Sequence, residues 1–413
     1  MKNIIKWVRE HYNTITNSIA FYPAVIATLF LVFSWLMLHL DFSDWGKQLK
    51  TQWSWISLKD ANTARTMVSV IGAGIISLTV FSFSMVMIVL NQAASKMSNR
   101  ILDTMIGNRF QQIILGFYIG TIVYALFLLS TIRDINSGIY VPALSIYLLV
   151  LLTVADVFLF IYFLHYVTQT VKYETIIQRI YEQTLHALKK EEHSDGREFQ
   201  LQRKPVAMLL APVSGYFQDF DKKQLLAFAQ SQDVVIEFLK TKGTYFIKDT
   251  EFLNVYGKEK LSVEQMKTLF LGIDFFNGQP ISKNPFYGFN QLTEVAIKAL
   301  SPGINDPATA VLSLHALSDL LAYYLHQPVS SVVCDQEKNV RIVTREPSFS
   351  DLFHQCLLPV WHYGKEDPYI QRSMLATVQQ LQFLDKEGRQ LGLLNQFANE
   401  VKEQMQKNHL PDA

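Results

Sequence analysis

The 413-residue chain has 18% charged and 49% apolar residues, and its 37 Lys and Arg against 36 Asp and Glu leave a formal charge of +1. The charged fraction is well below the roughly 25% of soluble proteins, and the balance supplies no basic field for nucleic acid, which excludes a chromatin or RNA role. Cys334 and Cys356 are too few for a disulfide framework and form no C-x-x-C pair for zinc.

Four stretches are apolar enough, and long enough, to cross about 30 Å of hydrocarbon as helices: residues 19–40, 67–90, 113–132 and 141–167. Together they hold one carboxylate, Asp156, and no Lys or Arg. The first follows a basic lead-in (Lys2, Lys6, Arg9) like a signal peptide, but it is too long and lacks a small-residue cleavage pattern before Asp41, so it reads as an anchor. Basic residues are more numerous on the side of Lys2, Lys6, Arg9, Lys96, Arg100, Arg109, Lys172 and Arg179 than on that of Lys47, Lys50, Lys59, Arg65 and Arg133. The positive-inside rule then places both termini in the cytoplasm. Between the first two spans, Trp45, Trp53 and Trp55 suit the headgroup level, so that connection is expected on the membrane surface.

Beyond the fourth span an apolar stripe (Val171, Ile176, Ile177, Ile180, Tyr181, Leu185, Leu188) predicts a helix continuing out of the bilayer. The polar segment Lys189 to Gln202, with Gly196, reads as a linker. From Lys204 short β-rich runs follow at 206–210, 234–239, 244–247 and 252–256, punctuated by Pro212, Gly215, Gly243 and Gly257. Helical spacing returns at 289–300 and 308–325. Between these, Pro302 and Gly303 end one helix, Asn305 or Asp306 caps the next, and Pro307 occupies its first turn. A hairpin is expected over 329–334 and 340–344, then helices near 350–361, 368–384 and 389–406. The fold class is therefore mixed. A four-helix transmembrane region (1–167) is followed by a helical extension and linker (168–203) and an α+β cytoplasmic domain (204–413) large enough to bury its own core.

Several strings taken together resemble a bacterial family of predicted inner-membrane proteins known only as domain of unknown function 2254. The most specific is Ala299-Leu300-Ser301-Pro302-Gly303-Ile304-Asn305-Asp306-Pro307 with Thr309-Ala310, preceded by Phe286-x-Gly288. Others are Phe81-Ser82-Phe83-Ser84, Ala94-Ser95, Asn108-Arg109, Leu115-Gly116 with Gly120-Thr121 and Tyr124, Ser214-Gly215-Tyr216 with Asp221, and Tyr363-Gly364 with Asp367-Pro368. The resemblance implies a multi-pass protein of the bacterial inner membrane with a cytoplasmic domain, and it implies no activity. Where the family tends to have Arg-Thr and then Asp before the Phe-x-Gly turn, this chain has Pro280-Ile281 and Asn284. The run from Ser214 to Leu253 is also similar to the paired hairpins of lipoyl-like barrels, which concerns fold alone.

Ser77, Ser84, Asn91 and Ser98 recur every seven residues along the second span and its continuation, with Ala73, Val80 and Met87 near the same face. A helix drifts only about 20° per heptad, so these residues share a stripe. Around a symmetric axis they would line a narrow pore as rings of dipoles, with Phe81 or Met87 able to close it by dewetting; the alternative is helix packing through Gly72, Gly74 and Ser77. Asp156 is a candidate ion or proton site, because a carboxylate in hydrocarbon must face protein or water, and its other reading is a hydrogen bond to Ser or Thr of a neighbouring helix. Lys96, Arg100 and Arg109 would gather anions at an inner mouth, or simply satisfy the positive-inside rule and lipid headgroups. The turn Ser301, Pro302, Gly303, Asn305 and Asp306 is either a tight helix corner or an interdomain or subunit contact at exposed helix-start N–H groups.

No catalytic residue, cofactor or metal is expected: His354, Cys356 and His362 lack metal spacing, and there is no phosphate loop or nucleophile elbow. His315 and His326 read as core or edge residues. The expected partners are the lipid bilayer, further copies of the chain and ions, with no nucleic acid. The favoured function is an oligomeric channel lined by the second span and gated by the cytoplasmic domain. The alternatives are a membrane-anchored sensor or scaffold and a proton-coupled carrier using Asp156.

Overall fold

The computed structural model describes residues 18, 20–52, 58, 60–96, 109–132, 141–170, 172–190, 204–276, 281, 284–325, 327 and 330–409. The chain divides into two compact units, residues 1–95 with 101–172 and residues 96–100 with 173–413.

The first unit contains α1 (Phe21–Phe42), α2 (Asp44–Gln52), α3 (Ala61–Lys96), α4 (Arg109–Thr131) and α5 (Ala143–Thr170). All of these except the short α2 are long and apolar enough to cross a membrane. The four expected spans are all present, each helix reaching a few residues beyond the apolar run. Helix α4 is the centre of the unit. Half of its apolar stretch is buried, whereas α1 and α3 bury little of theirs.

Glycine explains how α1 approaches α4. A Cβ on Gly116 would lie 2.6 Å from Ile26 Cδ1, and one on Gly120 would lie 2.7 Å from the Phe30 ring. These two glycines, one turn apart, form the small-xxx-small surface on which helices pack closely in lipid. Helix α3 sits against the rest through Ala64, Val68, Gly72, Ile75 and Ser82, all buried. Two apolar clusters hold the helices together: Ala64, Val68, Tyr124, Leu128 and Ile146 toward one end, and Ile75, Ile114, Tyr118, Phe163 and Val167 toward the other.

The second unit opens with α6 (Tyr173–Lys190). The expected continuous helix out of the fourth span is interrupted: α5 ends at Thr170, α6 begins at Tyr173, and Val171 lies outside the described residues, as do His326 and nearly all of the expected linker. The remaining elements are β1 (Ala207–Leu210), β2 (Gly215–Phe220), α7 (Lys222–Ser231), β3 (Val235–Phe238), β4 (Tyr245–Phe246), β5 (Glu251–Tyr256), α8 (Val263–Phe270) and β6 (Ile273–Phe276). They are followed by α9 (Phe286–Ala299), α10 (Pro307–Tyr324), β7 (Ser330–Cys334), β8 (Val340–Arg345), α11 (Phe349–Gly364), α12 (Pro368–Leu384) and α13 (Leu391–His409).

One sheet has the order β1-β5-β3-β8-β7 and the other β4-β2-β6. The β-rich stretch is not the self-contained pair of hairpins that a lipoyl-like barrel would show. Strand β3 pairs in parallel with β8, which arrives from beyond α10. The core of this part is aromatic, with Phe217 stacked on Phe238 at 4.9 Å and Phe252 edge-on to both. Helix α9 buries Phe289, Leu292, Val295 and Ala296. It meets α6 at Gly288, where a Cβ would fall 1.7 Å from Thr184 Oγ1. That contact is the physical reason for glycine in the Phe-x-Gly turn. Asn284, standing where the family tends to have Asp, is fully buried and accepts the Phe286 N–H at 3.0 Å at the start of α9.

Candidate functional site

The polar stripe of the second span lies on the face of α3 that no other helix of the chain covers among the described residues. Ser77, Ser84 and Asn91 are exposed, as are Asn62, Thr66, Ser69 and Ala73 along the same line. Val80 and Met87 fall between them, also exposed. The packed face, with Val68, Ile75 and Ser82, is on the opposite side: Ser82 stands five residues beyond Ser77, about 140° around at about 100° per residue. Packing within the chain therefore does not account for the stripe. Of Gly72, Gly74 and Ser77, only Gly72 is against another helix, its Cβ position 3.7 Å from Ala125, while Gly74 meets nothing within 4 Å. The Ser84 hydroxyl donates to the Val80 carbonyl at 2.8 Å, which leaves its lone pairs outward. A shallow open cavity lies along the same helix, lined by Asn62, Thr63, Thr66, Met67, Val70 and Ile71. Ser98 and Arg100 lie outside the described residues, as does the Lys96 side chain, and Arg109 is exposed at the start of α4.

Of the two apolar candidates for a gate, Met87 lies on the stripe and Phe81 beside it. Phe81 is 53% exposed and Met87 44%. Phe81 is also in contact within the chain, its ring edge-on to Phe160 of α5 at 5.8 Å.

Asp156 is on the covered side. Its exposure is 1%, and Ser82, Tyr118 and Thr121 around it are at 0%. Thr121 lies beside its carboxylate, Tyr118 is also within its field, and Ser82 lies beside Tyr118. Asp156 Oδ2, Tyr118 Oη and Thr121 Oγ1 are all buried, and none makes a well-formed hydrogen bond. His165 is exposed and contributes nothing to this group.

Asp156 is not alone, which corrects the reading of it as the sole carboxylate within a span. Helix α1 runs through Asp41, which is fully buried. Lys50 of α2 reaches it at 2.7 Å and also donates to its backbone carbonyl at 2.7 Å. The second carboxylate oxygen accepts the Ser145 N–H at 2.8 Å, and the Tyr124 hydroxyl donates to the Ser145 carbonyl at 3.2 Å. Lys50 also sits over the Phe42 ring. Through this pair the start of the connection between the first two spans is tied to the end of α1. Both residues had the look of loop charges; the available signal was an acid closing an apolar helix with a lysine nine residues on.

In the second unit the Ser301–Pro307 string is a helix corner. Asp306 caps α10, accepting the Thr309 N–H at 3.1 Å and the Thr309 hydroxyl at 2.7 Å. Asn305 carries the left-handed conformation at φ 48°, while Pro302 and Gly303 are exposed. The Asp306 charge lies near Tyr173 at the head of α6 and, after burial, contributes to holding that phenol above its ordinary range. His315, His354 and His362 are exposed, and Cys356 is buried, its thiol pushed up to about 12 chiefly by that burial. Among the described residues no three of His, Cys, Asp and Glu are placed together as for a metal ion.

Comparison with known proteins gives a family and no activity. Uncharacterized proteins of Mycobacterium tuberculosis (strain CDC 1551 / Oshkosh) and Mycobacterium bovis are each 23% identical over 328 residues, which cover 76% of this chain and 62% of theirs. The chain therefore spans less than two thirds of the length of the curated relatives it matches. No solved structure matches. The pattern of a predicted membrane protein family, domain of unknown function 2254, matches residues 16–380, a stretch that includes all four membrane-length helices, and the chain belongs to this family.

Proposed function

We propose that several copies of the protein assemble into a membrane pore, with the uncovered stripe of α3 facing the shared axis. The observation that carries this reading is the exposure of Ser77, Ser84 and Asn91 on the face opposite to the packed one. Facing lipid, the Asn91 carboxamide and the outward lone pairs of Ser84 would lose hydration without gaining a partner; facing an axis, they meet water or one another. Four spans are few for a self-contained transporter, whereas several subunits can surround a path. Rings of neutral dipoles give weak ion selectivity. In sequence, Lys96, Arg100 and Arg109 fall between the apolar runs of the second and third spans, and they would draw anions to a mouth on that side, which the positive-inside rule makes the cytoplasmic one.

Phe81 and Met87 are positioned to close the path by dewetting. The Phe81–Phe160 contact ties that gate to α5, which is joined by two residues to α6 of the second unit.

Cysteine accessibility tests the reading. In protein lacking Cys334 and Cys356 and reconstituted in liposomes, Ser77→Cys and Ser84→Cys are expected to react with a water-soluble thiol reagent. Phe83→Cys, on the flank of the same helix, is expected to resist it. Equal protection of all three positions would place the stripe in a dry interface and remove the pore.

A further inference from the structure

We propose that Asp156, Thr121, Tyr118 and Ser82 form an intramembrane binding site for one small monovalent cation, sodium being the ion it fits. This site is independent of the pore reading, because it lies on the covered face of α3.

Three helices supply the oxygens: Ser82 from α3, Tyr118 and Thr121 from one face of α4 a turn apart, and Asp156 from α5. All four side chains are essentially fully buried. Burial of a polar oxygen without a partner is costly, and here three such oxygens converge: Asp156 Oδ2, Tyr118 Oη and Thr121 Oγ1. The Ser82 hydroxyl proton is already spent on the Leu78 carbonyl at 2.9 Å, so what that residue can turn to a ligand is a lone pair. The carboxylate and three hydroxyls offer more lone pairs than the Tyr118 and Thr121 protons can occupy, and those lone pairs are what a cation would take.

Charge decides the class of ion. No Lys or Arg stands in the sequence between Arg65 and Lys96, between Arg109 and Arg133, or between Arg133 and Lys172. Tyr118 also packs in an apolar cluster with Ile75, Ile114, Phe163 and Val167. A single carboxylate in such surroundings is neutralised by one positive charge, whereas a divalent ion would leave a net charge in hydrocarbon. Hard oxygen donors with no nitrogen or sulfur select an alkali or alkaline-earth ion over a transition metal. Four side-chain oxygens suit a small alkali ion better than a large one. A proton competes for the same carboxylate.

The test uses purified full-length protein in detergent at mildly alkaline pH. Thermal unfolding is followed as sodium chloride replaces choline chloride at constant ionic strength. The expected result is a saturable rise in Tm that follows a single-site isotherm, as for a ligand that binds only the folded state, with a smaller response to potassium. Asp156→Asn keeps the shape and removes the charge, and is expected to unfold at one temperature in both salts. Thr121→Val is expected to raise the half-maximal sodium concentration about tenfold, the loss of one ligand bond of about 1.4 kcal/mol. Direct binding of radioactive sodium to the wild type keeps the test decisive if Asp156→Asn does not fold. Equal Tm in sodium and choline with no bound sodium, or a sodium response retained in Asp156→Asn, would overturn the proposal. So would a Tm that responds to pH alone, which would identify Asp156 as a protonated acid.

Discussion

Asp41 and Lys50 meet at 2.7 Å at the corner between α1 and α2, the carboxylate fully buried and the lysine side chain 13% exposed. Breaking a buried pair from one side leaves an uncompensated charge, which costs about 3 to 5 kcal/mol. Lys50→Met is therefore expected to lower Tm sharply in detergent. Pairing it with Asp41→Asn should recover much of the loss, since the neutral amide still accepts the Ser145 N–H. A double variant no more stable than Lys50→Met would show that the pair is not what holds the corner.

Gly120 faces the Phe30 ring so closely that any side chain must displace it. Overpacking of this kind costs about 1 to 3 kcal/mol. Gly120→Val is expected to lower Tm within that range, and Phe30→Ala, which clears space, is expected to lower the further cost of adding Gly120→Val. A double-mutant cycle measures the coupling. Strict additivity of the two changes would mean that α1 and α4 are not packed here.

The Tyr181 hydroxyl on α6 donates to the Asp319 carboxylate on α10, a contact tight enough to push the phenol up to about 12, with burial adding to it and the nearby Glu182 acting in the same direction. A folded-state value above the unfolded value of about 10 stabilises the fold fully below about pH 10 and is lost as pH rises toward 12. Because the pair is partly exposed, Tyr181→Phe is expected to cost about 1 kcal/mol at neutral pH. It should also flatten the fall in Tm across the alkaline window. Parallel wild-type and variant curves would contradict this.

In the Ser301–Pro307 corner the strained residue is Asn305, at φ 48°, while a Cβ on Gly303 meets nothing within 4 Å. Gly303→Ala is expected to leave Tm nearly unchanged. Asn305→Val should cost about 1 to 2 kcal/mol, because a β-branched residue tolerates the left-handed region poorly. Asn305→Gly should be close to neutral. If Gly303→Ala impairs conductance without moving Tm, the exposed part of the corner is a contact surface.

What the sequence revealed and what it hid follow from range. The four spans, the α9–α10 corner and the β7–β8 hairpin are coded by local hydropathy and turn residues, and they are where those signals put them. Strand β2 was not legible because Gln218 and Asp219 interrupt its apolar run. Gln218 is polar yet buried, donating to the Tyr287 hydroxyl at 3.0 Å across 69 residues. Strand β3 could be read as a strand but not as the partner of β8. In the site, seven-residue spacing identified the stripe of Ser77 and Ser84. It did not identify Ser82, whose meaning depends on which face of α3 is covered. Asp41 and Lys50 were hidden for the same reason, since an ion pair closed by tertiary structure leaves no periodic trace.

Planar-bilayer recording of reconstituted wild type beside Ser84→Leu and Asn91→Leu tests the pore most directly. Wild type is expected to give discrete, weakly selective openings, and the leucine variants, assembled to the same size, are expected to lower or abolish unit conductance. A wild type that stays silent across voltage, salt and membrane tension, or leucine variants with unaltered unit conductance, would contradict a pore lined by the uncovered face of α3.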